Sequence, residues 1–150
     1  SKQRRREVYL RALSTLNDFS IHYGHFLVHN VRRRLANPPP NSNPYVEIVK
    51  IEEKGSDVNL ASHLIHDAHL GLFDVAVVIS NDSDLVAPIK IVKEELGIPV
   101  GVLNPYRKTA HALQQAATFT RSIRPGVLAT SQFPNILSDG SGTIQRPNSW

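Results

Sequence analysis

Cysteine is absent from this sequence, which excludes a disulfide framework, a thiolate zinc site and a cysteine nucleophile. Long apolar runs are missing too. No stretch approaches the roughly 18 consecutive apolar residues of a membrane-spanning helix. The N-terminus is basic but lacks the apolar core of a signal peptide, so a cytoplasmic chain with no membrane partner is expected. Neither a Walker pattern nor a G-x-G-x-x-G loop occurs, which disfavours a receiver-like or nucleotide-binding α/β domain. Ser80 lacks the flanking glycines of a hydrolase nucleophile elbow. No internal repeat is visible.

What is present is enough for one domain with a proper core: 150 residues, 41% of them hydrophobic. Seventeen Lys and Arg stand against thirteen Asp and Glu, a net charge of +4 that favours a polyanionic partner. Their distribution is uneven. Arg4, Arg5, Arg6 and Arg11 form one basic cluster and Arg32, Arg33 and Arg34 another, while the acids gather in the middle third. Homo-oligomerisation is left open.

Taken in order, Arg4 to Leu16 reads as an amphipathic helix and Ile21 to His29 as a strand. Asn30 to Pro44 holds the three arginines and then Pro38, Pro39 and Pro40, so it reads as an exposed basic loop, a candidate contact for RNA. Tyr45 to Ile51 resumes a strand that can pair with the first. A helix follows to about His69, capped by Ser56 or Asp57, with Leu60, Ala61, Leu64, Ile65 and Ala68 on one stripe. Val75 to Ile79 has the uninterrupted β-branched pattern of a strand buried on both faces of a parallel sheet. Leu85 to Leu96 reads as helix, Ile98 to Leu103 as strand and His111 to Arg121 as helix. That alternation implies right-handed crossovers and a parallel sheet. The tail from Pro125 to Trp150, rich in Ser, Gly, Pro and Asn, is expected to be an irregular strap.

The chemistry lies at the end of the central strand, where Ser80, Asn81, Asp82, Ser83 and Asp84 follow the apolar run. Ligands of open α/β sheets bind at the C-terminal ends of the strands. Asp82 and Asp84 are hard oxygen donors suited to Mg2+ or Mn2+, and the expected helix start brings Asp57 to the same edge. Three carboxylates in one place repel unless a cation sits among them. Taken singly, Asp57 and Asp82 also suit helix capping, and Asp84 suits the first turn, where the helix dipole favours an acid; all three at one edge favour the metal. Asn81 and Ser83 are placed to hold metal-bound water or a phosphate oxygen, and Lys54 to neutralise an acid or contact the scissile phosphate. His63, His66 and His69 recur at intervals of three but rotate across a helix surface instead of converging, and His25 and His29 share one strand face without further ligands.

The stretches Glu-Lys-Gly-Ser-Asp-Val-Asn-Leu-Ala at 53–61, Phe-Asp-Val-Ala-Val-Val-Ile-Ser-Asn-Asp-Ser-Asp at 73–84 and Gly-Ile-Pro-Val-Gly at 97–101 resemble the NYN domain family, a branch of the PIN-like nucleases. The familiar form is Lys-Gly-x-Asp-Val followed by a strand ending Ser-Gly-Asp-Ser-Asp; here Asn81 stands at the glycine. The resemblance implies a three-layer α/β fold with a central, mostly parallel sheet flanked by helices, over residues 1–125, with 126–150 a tail. It also implies a metal-dependent ribonuclease with Asp57, Asp82 and Asp84 as its catalytic, metal-holding acids. Many relatives carry an acid where His63 stands. The family's first strand, ending in another acid, has no counterpart in residues 1–20, so the resemblance implies that this strand lies outside the sequence. In the ribonuclease reading Arg4, Arg5, Arg32, Arg33 and Arg34 are the nucleic-acid contacts that hold the phosphate backbone; the alternative is a catalytically silent RNA-binding or scaffolding module.

Overall fold

The computed structural model describes residues 2–148, apart from the side chains of 2 and 3. Helix α1 (Lys2–Leu13) precedes an antiparallel pair, β1 (His25–Arg34) and β2 (Tyr45–Lys54). Then come α2 (Ser56–His69), β3 (Ala76–Ile79), α3 (Val86–Lys90), β4 (Val100–Asn104), α4 (His111–Ala116) and β5 (Phe119–Ser122). The chain closes with α5 (Pro125–Thr130) and a hairpin of β6 (Ile136–Asp139) and β7 (Gly142–Gln145). Helix α3 is entered through a 3-10 turn, Ser83–Leu85, and left through a π turn, Ile91–Glu95.

The expected parallel sheet forms in the order β3-β4-β5. Its register sets Ala76 beside Val100 and Val78 beside Val102 on one face. Those four pack against Leu64 and Ala68 of α2, Ile89 of α3, Val92 of the π turn and Leu113 and Ala116 of α4, all buried. Strands feeding right-handed crossovers bring successive helices onto the sheet in this way.

The central strand is not buried on both faces. Val77 and Ile79, which alternate with the core residues, are 51% and 61% exposed, and among the described residues β3 pairs with β4 alone. Among the described residues the helices of the core cover one side of the sheet, so the second helical layer expected over Val77 and Ile79 is not there. Further along the same uncovered side, Gly101 lies beneath the Phe119 ring.

Three further expectations change. Helix α4 stops at Ala116, and Phe119 to Arg121, expected to be helical, are strand β5. Thr118 explains the switch: its N–H donates to the Val100 carbonyl at 2.7 Å and its Oγ1 accepts from the Val100 N–H at 3.0 Å, docking the chain to the sheet before another turn can form. The arginines Arg32, Arg33 and Arg34 are not in a loop but at the end of β1, paired with Glu47, Val46 and Tyr45. Only residues 35–44 turn back, closed by the Leu35 N–H on the Pro44 carbonyl at 2.8 Å.

The tail, expected as an irregular strap, contains the hairpin β6–β7, which packs with α1 into a small second core. Ala12 and Ile144 are buried there, and Tyr9 meets Phe133 edge to face at 6.3 Å. Arg11 fastens it through two bonds to Asp139, at 2.6 and 2.5 Å, and a third to the Gly142 carbonyl. The Arg11 hydrogen bonds hold the Asp139 carboxyl at a pKa of about 2, below its ordinary value of 3.8. A depressed carboxylate contributes its stability above the ordinary value and loses it as pH falls through the folded one.

Two outcomes are expected. Acidification from pH 4 to pH 2 should loosen the α1–hairpin contact, read as lower amide protection at Ile144 relative to the intrinsic exchange rate at each pH, and Asp139→Asn should remove that pH dependence. Gly101→Ala places a Cβ 2.1 Å from the Phe119 ring, which should cost about 1–3 kcal/mol in urea denaturation, with part regained in the double variant with Phe119→Ala.

Candidate active-site cleft

The N-terminus of α2 and the C-terminal ends of β3 and β4 meet at one side of the sheet. Helix α2 starts from Gly55 in the left-handed region, φ 93°, a conformation that glycine takes without a Cβ penalty. Gly55, and not Ser56 or Asp57, occupies the capping position, with no side-chain cap. Ser56 Oγ donates instead to Glu53 Oε2 at 2.6 Å.

Strand β3 ends in a tight turn held by its own side chains. Ser80 Oγ accepts from the Asp82 N–H at 3.0 Å, and Asp82 Oδ1 accepts from the Asp84 N–H at 2.9 Å. Asp82 is thus the cap of the Ser83–Leu85 turn, as one reading of the sequence allowed. Its carboxylate also lines an open cleft of about 580 Å3 together with Asp57, Ile79, Ser80, Asn81, Ser83, Pro105 and Tyr106.

The structure therefore brings Asp57 and Asp82 to one cleft, with Ser83 and Asn81, and leaves Asp84 outside its lining. Lys54 stays on the ribbon, its Nζ 3.6 Å from Glu52 Oε2. The Asn81 amide is committed to the opposite loop: Oδ1 accepts from the Ala110 N–H at 2.8 Å and Nδ2 donates to the Lys108 carbonyl at 3.3 Å. His63 has turned from the cleft to stack on His22, ring centroids 3.6 Å apart. His29 lies 3.8 Å from Glu52, whose carboxyl is pushed down by a hydrogen bond from Lys50. Of the N-terminal arginines, Arg4 and Arg5 are exposed on α1 and Arg6 lies over the Phe26 ring at 5.3 Å.

Two cleft residues escaped the sequence reading. Tyr106 and Pro105 form its far wall, carried by a loop that Asn104 anchors from within the core. Asn104 is fully buried; its Oδ1 accepts from the Tyr106 N–H at 2.9 Å and its Nδ2 donates to Thr109 Oγ1 at 3.0 Å. The available signal was an asparagine ending an apolar strand, a polar group that burial obliges to find partners. Asn81 and Asn104, at the ends of neighbouring parallel strands, thus hold one loop between them.

The open polar end of the cleft offers oxygen donors: the carboxylates of Asp57 and Asp82 and the hydroxyls of Ser80 and Ser83. Mg2+ is commonly held by one or two carboxylates and keeps several waters, so this donor set fits it in kind. Among the described residues, no three His, Cys, Asp or Glu side chains stand close enough to hold a metal by themselves.

The profile of the NYN domain matches residues 23–123. The chain belongs to the NYN domain family. Helix α1 and the β6–β7 hairpin fall outside the matched span. The chain is also 31% identical over 154 residues to a Pseudomonas putida (strain DSM 28022 / S16) protein named 6-hydroxy-3-succinoylpyridine 3-monooxygenase HspA. The match takes in 95% of this chain and 49% of that one, so this chain spans about half the length of its curated relative. A crystal structure of a protein of unknown function from Vibrio parahaemolyticus RIMD 2210633 superposes with a TM-score of 0.51 at 18% identity, over 83% of this chain and 62% of that one. That likeness concerns the fold. Among the described residues no helix is long and apolar enough to cross a membrane.

Replacing Asn81 by Ala leaves the partly buried Ala110 N–H without its acceptor. The expected cost is about 1–3 kcal/mol, with faster amide exchange at Ala110 than in the unaltered chain as the local readout.

Proposed function

We propose that this NYN domain is the acidic part of a Mg2+- or Mn2+-dependent ribonuclease. One observation carries the reading: Asp57 and Asp82, far apart in sequence, line one open cleft at the strand ends with two serine hydroxyls. When bound, a divalent ion would polarise a phosphate and lower the pKa of a bound water for attack on the phosphodiester. Asp57 and Asp82 would hold the ion. Asp84 enters as a positioning residue, since its backbone N–H fixes the Asp82 carboxylate at 2.9 Å. Ser80 and Ser83 are disposed to hydrogen-bond phosphate oxygens, and Tyr106 on the far wall to stack against a base.

The free edge of β3 and the exposed Val77 and Ile79 support the further proposal that a strand outside this sequence completes the sheet. Parallel sheets are ordinarily covered on both faces, and an open edge presents unpaired backbone groups to any added strand. Such a strand would lie beside Asp82 and could bring a further acid.

A second reading draws on the relative named as a pyridine monooxygenase. Ile79, Pro105 and Tyr106 give the cleft an apolar flank on which a flat aromatic ring could rest. The reading extends only to binding of such a compound.

The deciding experiment is cleavage of labelled single-stranded RNA with Mg2+, Mn2+ or EDTA, comparing the 150-residue chain with one extended at its N-terminus. Cleavage by the extended chain, dependent on metal and abolished by Asp82→Asn, is expected. Asp84→Asn should be milder, because the N–H that fixes Asp82 is retained. RNA binding without cleavage by either chain would favour the silent binding module, and saturable binding of the succinoylpyridine in place of RNA would favour the second reading.

A further inference from the structure

Helix α1 and the β6–β7 hairpin, both outside the span matched to the NYN domain, do not close completely on each other. Between them remains an apolar cleft of about 60 Å3, walled chiefly by Val8, Ala12, Phe133, Leu137 and Ile144. An enclosed apolar cavity of about 150 Å3 holds a benzene, so this one has room for a single branched aliphatic group.

The hairpin register sets a cation beside that cleft. Leu137 pairs with Ile144, and both line the cleft wall opposite α1. The Arg146 N–H extends the ladder by donating to the Asn135 carbonyl at 2.8 Å, so the alternation along the strand returns Arg146 to the face of Ile144. Arg146, half-buried, lines the apolar cleft and also a polar one of about 300 Å3, which it shares with Asn135, Gln145 and Asn148. Among the described residues its guanidinium has no hydrogen bond or ion pair, whereas Arg11 at the other end of the hairpin holds Asp139 and the Gly142 carbonyl. The surroundings favour an anion. Residues 1–13 hold five Lys and Arg and residues 131–148 add Arg146, against two acids, Glu7 and Asp139, of which Asp139 is taken by Arg11.

A ligand that satisfies this arrangement has three parts. The cleft takes one branched apolar group. Arg146 takes a carboxylate next to it, which a guanidinium fork matches in shape as well as charge. The side-chain amides of Asn135, Gln145 and Asn148 each donate and accept, as a peptide group does. A polypeptide ending in leucine, isoleucine or valine carries all three in its last residue: side chain, terminal carboxylate and peptide bond. A free aliphatic acid carries two.

We infer that the gap between α1 and the β6–β7 hairpin is a receptor site for the C-terminus of a partner polypeptide ending in a branched aliphatic residue, its terminal carboxylate held by Arg146. Capture of a chain-terminal carboxylate is a recurring mode of peptide recognition. The site stands apart from the acidic cleft and does not rest on the ribonuclease reading.

The test is fluorescence anisotropy on the 150-residue chain, with the N-terminally labelled peptide Gly-Ser-Gly-Ser-Leu as free acid and as C-terminal amide, and with unlabelled isocaproate as competitor. The acid should bind at least tenfold tighter than the amide, and a peptide ending in glycine should bind about tenfold more weakly than the leucine peptide. Arg146→Gln should weaken binding of the acid about tenfold with its circular dichroism unchanged, and Arg146→Lys should weaken it less. Amide shift changes on titration should centre on Ile144 and Arg146. Equal binding of acid and amide, an Arg146→Gln variant that binds as before, or shift changes confined to another surface would overturn the site. Isocaproate competing as well as the unlabelled peptide would overturn it in favour of a free acid, and no saturable binding up to about 1 mM would overturn it outright.

Discussion

Parallel pairing of β3 with β4, buried on one side only, is the constraint on which the rest of this molecule depends. Ala76, Val78, Val100 and Val102 sit in register beneath α2, α3 and α4, and Val100, Val102, Ile89 and Leu113 are fully buried. Each such side chain contributes about 1.5–3 kcal/mol relative to exposure. Because the strands run in the same direction, their C-terminal ends emerge side by side, and the segments leaving them face the same cleft. Asp82 lies just beyond β3, Tyr106 just beyond β4, and the start of α2 brings Asp57. The cleft is thus a product of topology before it is a product of any single residue.

Local hydrogen bonding then decides what each residue there is free to do. Asp82 spends one oxygen on a backbone N–H, and its carboxylate still lines the cleft. Asn81 commits both ends of its amide to the loop that carries Tyr106. Asn104 supports the same loop from below with no exposed surface. A glycine at position 81 could make none of those side-chain bonds, so this wall depends on the asparagine.

The three structural parts carry unlike surfaces. The α/β core buries one face of its sheet and exposes the other at Val77 and Ile79; the ribbon exposes both faces; α1 and the β6–β7 hairpin close on each other around Ala12 and Ile144, fastened by Arg11 and Asp139. Exposed β-branched residues on an unpaired edge strand invite pairing. Among the described residues two such surfaces occur, at β3 and along the ribbon.

By itself the sequence determined the alternation of helices and strands from Ser56 to Ala116, the parallel sheet, the turn that ends β3 in acid and the family. Those are local signals: hydrophobic period, glycine at helix ends, and motif spacing. Tertiary structure decided the rest. Arg32, Arg33 and Arg34 looked like loop because prolines come after them, yet pairing with Tyr45, Val46 and Glu47 extends the strand through all three. Phe119 to Arg121 looked like helix, yet the free edge of β4 supplied a ladder that an isolated turn could not match. Asp57 and Asp82 could be placed at one edge by counting, but that Asp84 falls outside the cleft lining and His63 turns to His22 depends on the turn geometry and on a contact forty-one residues distant. Periodicity along a chain reports which face a residue is on; which faces meet is settled only when the loops between them have closed.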